Sequence, residues 1–196
     1  MKFAKAKNTV AFVPCYTSID RAKTRLQIDV GYGDAITPDA QIVTFPALLD
    51  LPAPRIRAYP RETVVAEKLE AMTSIGLANS RMKDFYDIVI VARLFSFYGE
   101  LLTRAIAATF ERRKTTIPTS APIALTQAFA NDDAKQTQWK AFLSKSGAEE
   151  RMTLAEAVAA CGTFLAEPLL AASRSSVFDA VWPPDGPWQP SKPLQH

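Results

Sequence analysis

The sequence predicts an α+β fold, on three observations. Two extended segments precede Pro60, the second with period-two alternation, helical periodicity runs through most of the chain beyond it, and no internal repeat is present. At 196 residues and 48% hydrophobic content the chain has material for one core, or for one compact domain with a helical appendage. The expected organisation is a partial sheet over residues 1–60, a helical region over 61–175 and a Pro/Trp-rich extended tail over 176–196.

The first extended segment is expected over residues 9–13 and the second over 24–30. In the second, Leu26, Ile28 and Val30 alternate with Arg25, Gln27 and Asp29, so one face looks into a core and Asp29 projects from the other. Gly31 and Gly33 come next, letting the chain bend sharply and leaving the carboxylate unobstructed at a strand end. Two readings of Asp29 are open: a site acid, or a side chain that hydrogen-bonds the amides of its own turn. A proline-punctuated connection then runs from Pro38 to Pro60, with a short apolar piece at residues 42–45.

A helix opens at Pro60, because proline suits the first helical position. Val65, Leu69 and Met72 form its buried stripe, while Glu67 and Glu70 are expected to face water. Lys68 lies at the border of the stripe. Its stem can run along apolar surface while its ammonium reaches either a buried anion or solvent.

The next helix is expected over residues 82–97, with Asp84, Ile88, Val91 and Phe95 on one face and Asp87 at its margin. Ser80 or Asn79 is the candidate cap. An acid in the first turn meets the positive end of the helix dipole, which accounts for one acid but not for two facing inward. A lysine partner or a metal would account for both, and Lys68 is the candidate lysine.

Further helices are expected over residues 100–113, 134–143 and 154–167, with Pro118 and Pro122 as breaks. The WPPDGPWQPSKP segment is too rich in proline for either regular structure. It reads as extended, with Trp182 and Trp188 packed back on the body.

Composition removes several chemistries. His196 is the only histidine, which excludes nucleophile–histidine pairs and histidine-ligated zinc. Cys15 and Cys161 have no metal-ligand spacing, and neither a P-loop nor a GxGxxG turn is present. Chemistry here must run on carboxylates, lysine and arginine, residue types that suit divalent metal and phosphate. A net charge of +3 does not by itself demand nucleic acid. No signal-like start and no apolar run long enough to span a bilayer are read, so a cytoplasmic chain without a membrane segment is expected.

The strings LQIDVGYGD, AYPRETVVAEKLEAM and NSRMKDFYDI, in this order and spacing, resemble the nucleotidyltransferase AbiEii/AbiGii toxin family of toxin–antitoxin and abortive-infection systems. The resemblance extends from about Arg25 through the tail. It implies a partial polymerase β-like nucleotidyltransferase core with a helical region after it, a nucleoside triphosphate donor, Mg²⁺, transfer of a nucleotide to the acceptor end of tRNA or another RNA, and a cognate antitoxin. It also assigns residues. Asp29 becomes a metal ligand or the base for the incoming hydroxyl, Lys68 the lysine that meets the triphosphate, and Asp84 the acid of the KD motif. Asp87 is its neighbour, orienting the lysine or the nucleotide.

One departure stands out. Such transferases carry a Gly-Ser turn and a D-x-D or D-x-E pair on the preceding strand, whereas here no glycine precedes Gly31 and no two carboxylates are separated by a single residue. The chain is therefore expected to be a family member lacking its N-terminal segment, impaired by itself. The alternatives are a non-catalytic module binding RNA or protein through Arg81, Lys83, Arg112, Arg113 and Lys114, which read equally as an ordinary solvated surface, and a fragment completed by another chain.

Overall fold

The computed structural model describes residues 10–31, 33, 35–47, 50–148 and 152–191, and divides into two compact units, residues 1–35 and 36–196. In the first unit, β1 (Val10–Ile19) pairs antiparallel with β2 (Ala22–Gly31). A two-residue turn joins them, with Asp20 at φ 52°, a left-handed position that aspartate tolerates better than most residues. β1 runs six residues beyond the expected segment and accommodates Pro14, opposite Gln27. An edge strand can do this because one row of its amides needs no sheet partner.

The second unit begins with a hairpin of β3 (Gln41–Thr44) and β4 (Arg55–Ala58). β4 is not legible in the sequence, since RIRA carries too little apolar pattern. Next comes α1 (Arg61–Ile75), with Pro60 at the N-cap and Gly76, at φ 61°, ending it. Val65, Leu69 and Met72 are fully buried, as the stripe requires. The burial is wider than that stripe, however, because α1 also packs on α3 (Gly99–Arg113). Glu70, expected to face water, is buried instead. It receives Arg113 Nη1 at 2.7 Å and Thr115 Oγ1 at 2.5 Å.

Between these two helices, α2 spans Met82–Leu94 and stops three residues short of the expected end. Phe95 turns extended and is 42% exposed, so it does not share the buried face of Asp84 and Ile88. The chain leaves the helix because Phe97 is drawn into the core, where its β5 (Phe97–Tyr98) pairs with the C-terminal segment.

α4 (Gln127–Ala130), α5 (Asp133–Ser146) and α6 (Leu154–Ser173) complete the helices. α6 opens on a capping box of Thr153 and Glu156 and buries Leu154, Ala157, Val158, Cys161, Phe164, Leu165 and Leu169. By length and composition it is apolar enough to cross a bilayer, which corrects the expectation that no such run exists. Half of its most apolar window is buried inside the fold, the behaviour of a core helix.

The expected end of α6 at Glu167 is also corrected, because the helix continues through Pro168. Proline has no N–H to give the carbonyl four residues back, which is that of Phe164. Trp188 Nε1 donates to that oxygen at 2.8 Å. Trp182 Nε1 likewise donates to Ala92 O at 2.7 Å, joined there by the Asp185 amide at 3.2 Å, and so caps the last turn of α2. The tail is thus more ordered than an extended strap. β6 (Ala180–Trp182) lies between β5 and β7 (Gln189–Pro190) in a three-stranded sheet, and the rings of Trp182 and Trp188 pack on Phe164.

Trp188→Phe should lose about 1–3 kcal/mol, the cost of leaving the Phe164 carbonyl unpaired. Pro168→Ala supplies the missing amide. In that background the Trp188→Phe cost, read from urea denaturation, should fall by about 1 kcal/mol, and simple additivity would contradict the account.

Candidate functional site

The site is built where α1 meets the first turn of α2. Gly76 breaks the chain out of α1, and a short turn over Gly76–Ala78 leads to Asn79, which is fully buried. Its Oδ1 accepts the Arg81 amide at 2.9 Å. Neither Asn79 nor Ser80 is therefore the N-cap: Arg81 holds that position, and Asn79 fixes the approach to it. The arrangement puts Asp84 in the first turn of α2, near the positive end of its dipole.

Lys68 reaches across from α1. Its Nζ donates to Asp84 Oδ1 at 2.7 Å and to Asp87 Oδ2 at 2.8 Å. Of the three side chains Asp84 is the most enclosed, at 5% exposure, against 17% for Lys68 and 24% for Asp87. Lys83 binds the outer side of Asp87, with Nζ 2.7 Å from Oδ1 and 2.6 Å from Oδ2. Arg81 Nε lies 2.8 Å from the buried Asp84 Oδ2, which accepts no well-aligned hydrogen bond among the described residues. The guanidinium contributes charge there.

These contacts set the protonation states. Burial pulls the Lys68 ammonium toward the neutral form, but hydrogen bonds to Asp84 and Asp87 and their negative charge outweigh it and raise its pKa above the ordinary lysine value. Burial opposes the charged form of Asp87 too. The hydrogen bonds and charges of Lys68 and Lys83 outweigh that and hold its pKa below the ordinary value. A concavity of about 190 Å³, lined by Val64, Val65, Tyr86, Ile90 and Val91, adjoins Lys68 and Asp87.

Lys68, Asp84 and Asp87 are thus brought together as the sequence suggests. Asp29 belongs to β2, opposite Phe12, and its side chain lies outside the described residues. Of the basic positions that the sequence offers as a patch, Arg81, Lys83 and Arg113 are in ion pairs with acids of the same unit. The Glu70–Arg113–Thr115 cluster escapes sequence reasoning. Its signal is the presence of Ala66 and Ala71 near Glu70, small residues that let a second helix come close.

The cluster does not fit a divalent cation. Asp84 and Asp87 already face two ammonium groups and a guanidinium, and no set of three or more His, Cys, Asp or Glu among the described residues is placed to hold a metal. It fits an anion better. Three basic groups against two acids leave one net positive charge, and Lys68 uses two of its three N–H donors on the acids.

An ammonium held at a helix junction, with an N–H to spare, is an arrangement suited to phosphate. Comparison with known proteins places the chain in a family that handles it: the family model described as "Nucleotidyl transferase AbiEii toxin, Type IV TA system" matches residues 4–161, and the chain belongs to that family. Members are toxins of toxin–antitoxin systems, so membership implies a nucleotide substrate and an antitoxin partner. The match includes Asp29, Lys68, Asp84 and Asp87 and ends within α6, before the tail. No curated protein and no solved structure matches.

Lys68→Met should lower stability by about 3 kcal/mol, because it leaves the enclosed Asp84 charge without its main partner. Adding Asp84→Asn should recover part of that loss, read as a shift in urea midpoint at unchanged slope.

The pH dependence has a definite sign. The contribution of Asp87 is present above its unfolded pKa near 3.8 and is lost as pH falls through its lower folded value, while that of Lys68 is present below 10.5 and is lost as pH rises through its higher folded value. Stability of Asp87→Asn should accordingly fall less steeply than wild type on acidification below pH 3.8. Parallel acid limbs in the two denaturation series would contradict this.

Proposed function

We propose that this chain is the nucleotide-handling part of a nucleotidyltransferase toxin that transfers a nucleotide from a nucleoside triphosphate to RNA, at the acceptor end of tRNA. The observation that carries the reading is the Lys68 ammonium, held by Asp84 and Asp87 with a donor left for a phosphate oxygen. In the reaction an RNA hydroxyl oxygen attacks the α-phosphorus, a new P–O bond forms, the bond to the bridging oxygen breaks, and pyrophosphate leaves. Lys68 offsets charge on the triphosphate. Asp84 and Asp87 keep the lysine charged and aimed, and act as positioning residues.

Asp29 keeps the role that the resemblance gives it, a metal ligand or the base for the hydroxyl. Mg²⁺ remains a family expectation, and its carboxylates must come from outside the Lys68 cluster. Because the sequence contains no D-x-D or D-x-E pair, the chain by itself is weakly active or inactive. We place its work in the cytoplasm, where its RNA acceptor is found.

A second reading is favoured by one observation: Leu26 and Ile28, on the apolar face of the β1–β2 ribbon, are about half exposed. A two-stranded ribbon is marginal alone. A strand from another chain, bearing the missing acids, would pair with an open edge of that ribbon.

Titrating the chain with a non-hydrolysable triphosphate should show binding that Lys68→Met weakens roughly tenfold or more, in line with the loss of a charge-assisted hydrogen bond. Incubation with Mg²⁺, labelled triphosphates and tRNA should give little extension of the RNA. Vigorous transfer would overturn the impaired reading, and triphosphate binding indifferent to Lys68 would overturn the assignment of the site.

A further inference from the structure

The face of the β1–β2 ribbon that bears Asp29 continues toward the turn, where it carries residues that the transfer chemistry leaves unused. Residues directly opposite in an antiparallel pair project to the same side. Tyr16 is opposite Arg25 and Ser18 opposite Lys23, so these four share one face, with Arg21 at the tip. Val13, Cys15, Leu26 and Ile28 share the other. An aromatic residue is thus placed on the polar side, where alternation alone would not put it. Tyr16 is 75% exposed.

Arg21, Lys23 and Arg25 are exposed and make no ion pair among the described residues, unlike Arg81, Lys83 and Arg113. Charge is also unevenly spread along the sequence. Residues 1–35 contain six of the 23 basic residues and three of the 20 acidic ones, so the whole net charge of +3 falls in the first unit. Such asymmetry marks a segment that meets a polyanion.

We propose that this face of the ribbon is a binding surface for single-stranded RNA, with an unstacked base lying on Tyr16 and flanking phosphates on Lys23, Arg25 and Arg21. Aromatic platforms flanked by cations bind single strands with little sequence preference, because every base has a face to stack. A lipid surface fits less well. It would want the cations and the apolar side chains on one side, and the ribbon separates them. The inference shares with the proposed function RNA as the acceptor and the strand face that bears Asp29, and binding needs neither triphosphate nor Lys68.

The test is fluorescence anisotropy of a labelled single-stranded RNA of about 12 nucleotides, within the site sizes of such platforms, with the full chain and no triphosphate. Affinity should fall linearly on logarithmic axes between about 50 and 200 mM salt. Tyr16→Ala should weaken binding roughly five- to hundredfold, and Tyr16→Phe should retain it, since the ring does the stacking. Lys23→Gln with Arg25→Gln should flatten the salt slope by roughly 1.4, about 0.7 per lost phosphate contact. The same neutralisation at Lys140 and Lys145, exposed lysines of α5, should change nothing. Normal RNA binding by Lys68→Met, with triphosphate binding lost, would support a surface separate from the nucleotide site. No binding at low salt, or wild-type affinity in Tyr16→Ala and in the double variant, would overturn the proposal. So would binding to phosphatidylserine vesicles, but not RNA, that the same substitutions abolish.

Discussion

An ammonium can be kept in a largely enclosed place only if the loss of water is offset, and in this chain the offset comes from two carboxylates one helical turn apart. Asp84 and Asp87 are spaced so that both reach the same Nζ, at 2.7 and 2.8 Å. That spacing has structural consequences. It fixes the rotation of α2 about its axis relative to α1, and with it which residues of α2 face the core. Phe85, Ile88, Val89 and Ala92 are buried because the acids between them look toward α1. The left-handed Gly76 and the Asn79 hydrogen bond serve the same end by delivering α2 to that rotation.

A second constraint acts at the opposite end of the core. Two carbonyls would otherwise be left in apolar surroundings: Phe164 O, deprived of a partner by Pro168, and Ala92 O, in the last turn of α2. Both are met by indole N–H groups from one short segment, and the same rings fill space around Phe164. A tail dense in proline can do this because its function in the fold is to deliver two side chains, while the small sheet formed by β5, β6 and β7 holds it in register. The helices therefore lean on residues far away in sequence at both ends.

How far this can be read in the sequence depends on the range of the interaction. The α1 stripe of Val65, Leu69 and Met72 is a local pattern and is legible, as is Lys68 at its border. The convergence of Lys68 with Asp84 is legible for a related reason: each is a charge that periodicity places toward the interior, and inward charges need each other. The failures are long-range. Glu70 looks solvated because nothing in α1 shows that α3 will cover its other side. Sequence alone ends α6 before Pro168, yet a proline is a reliable stop only when nothing elsewhere compensates its missing amide, and Trp188 lies 20 residues on. Phe95 falls on the Asp84 face by helical periodicity, which continues past Leu94 although the backbone does not. Asp29 shows another limit, since period-two alternation states which side of a strand a carboxylate takes but not what it meets there.

The same electrostatics bears on what the helical unit would need from the rest of a nucleotidyl site. A nucleotidyl site has two halves of opposite sign: cations that meet the triphosphate, and a set of carboxylates that holds metal against it. If the cationic half were stabilised only by the acidic half or by bound nucleotide, losing the acids would leave an unpaired buried charge and a destabilised fold. Lys68 avoids that dependence. Its counter-charges lie within its own unit, on α2, and they hold its pKa above the ordinary lysine value against the pull of burial. The Lys68 charge is thus met inside its own unit, and on the proposed reading a phosphate would be gained or lost at the remaining N–H without disturbing the packing below. On the proposed reading, triphosphate recognition and metal chemistry are in this sense physically separable.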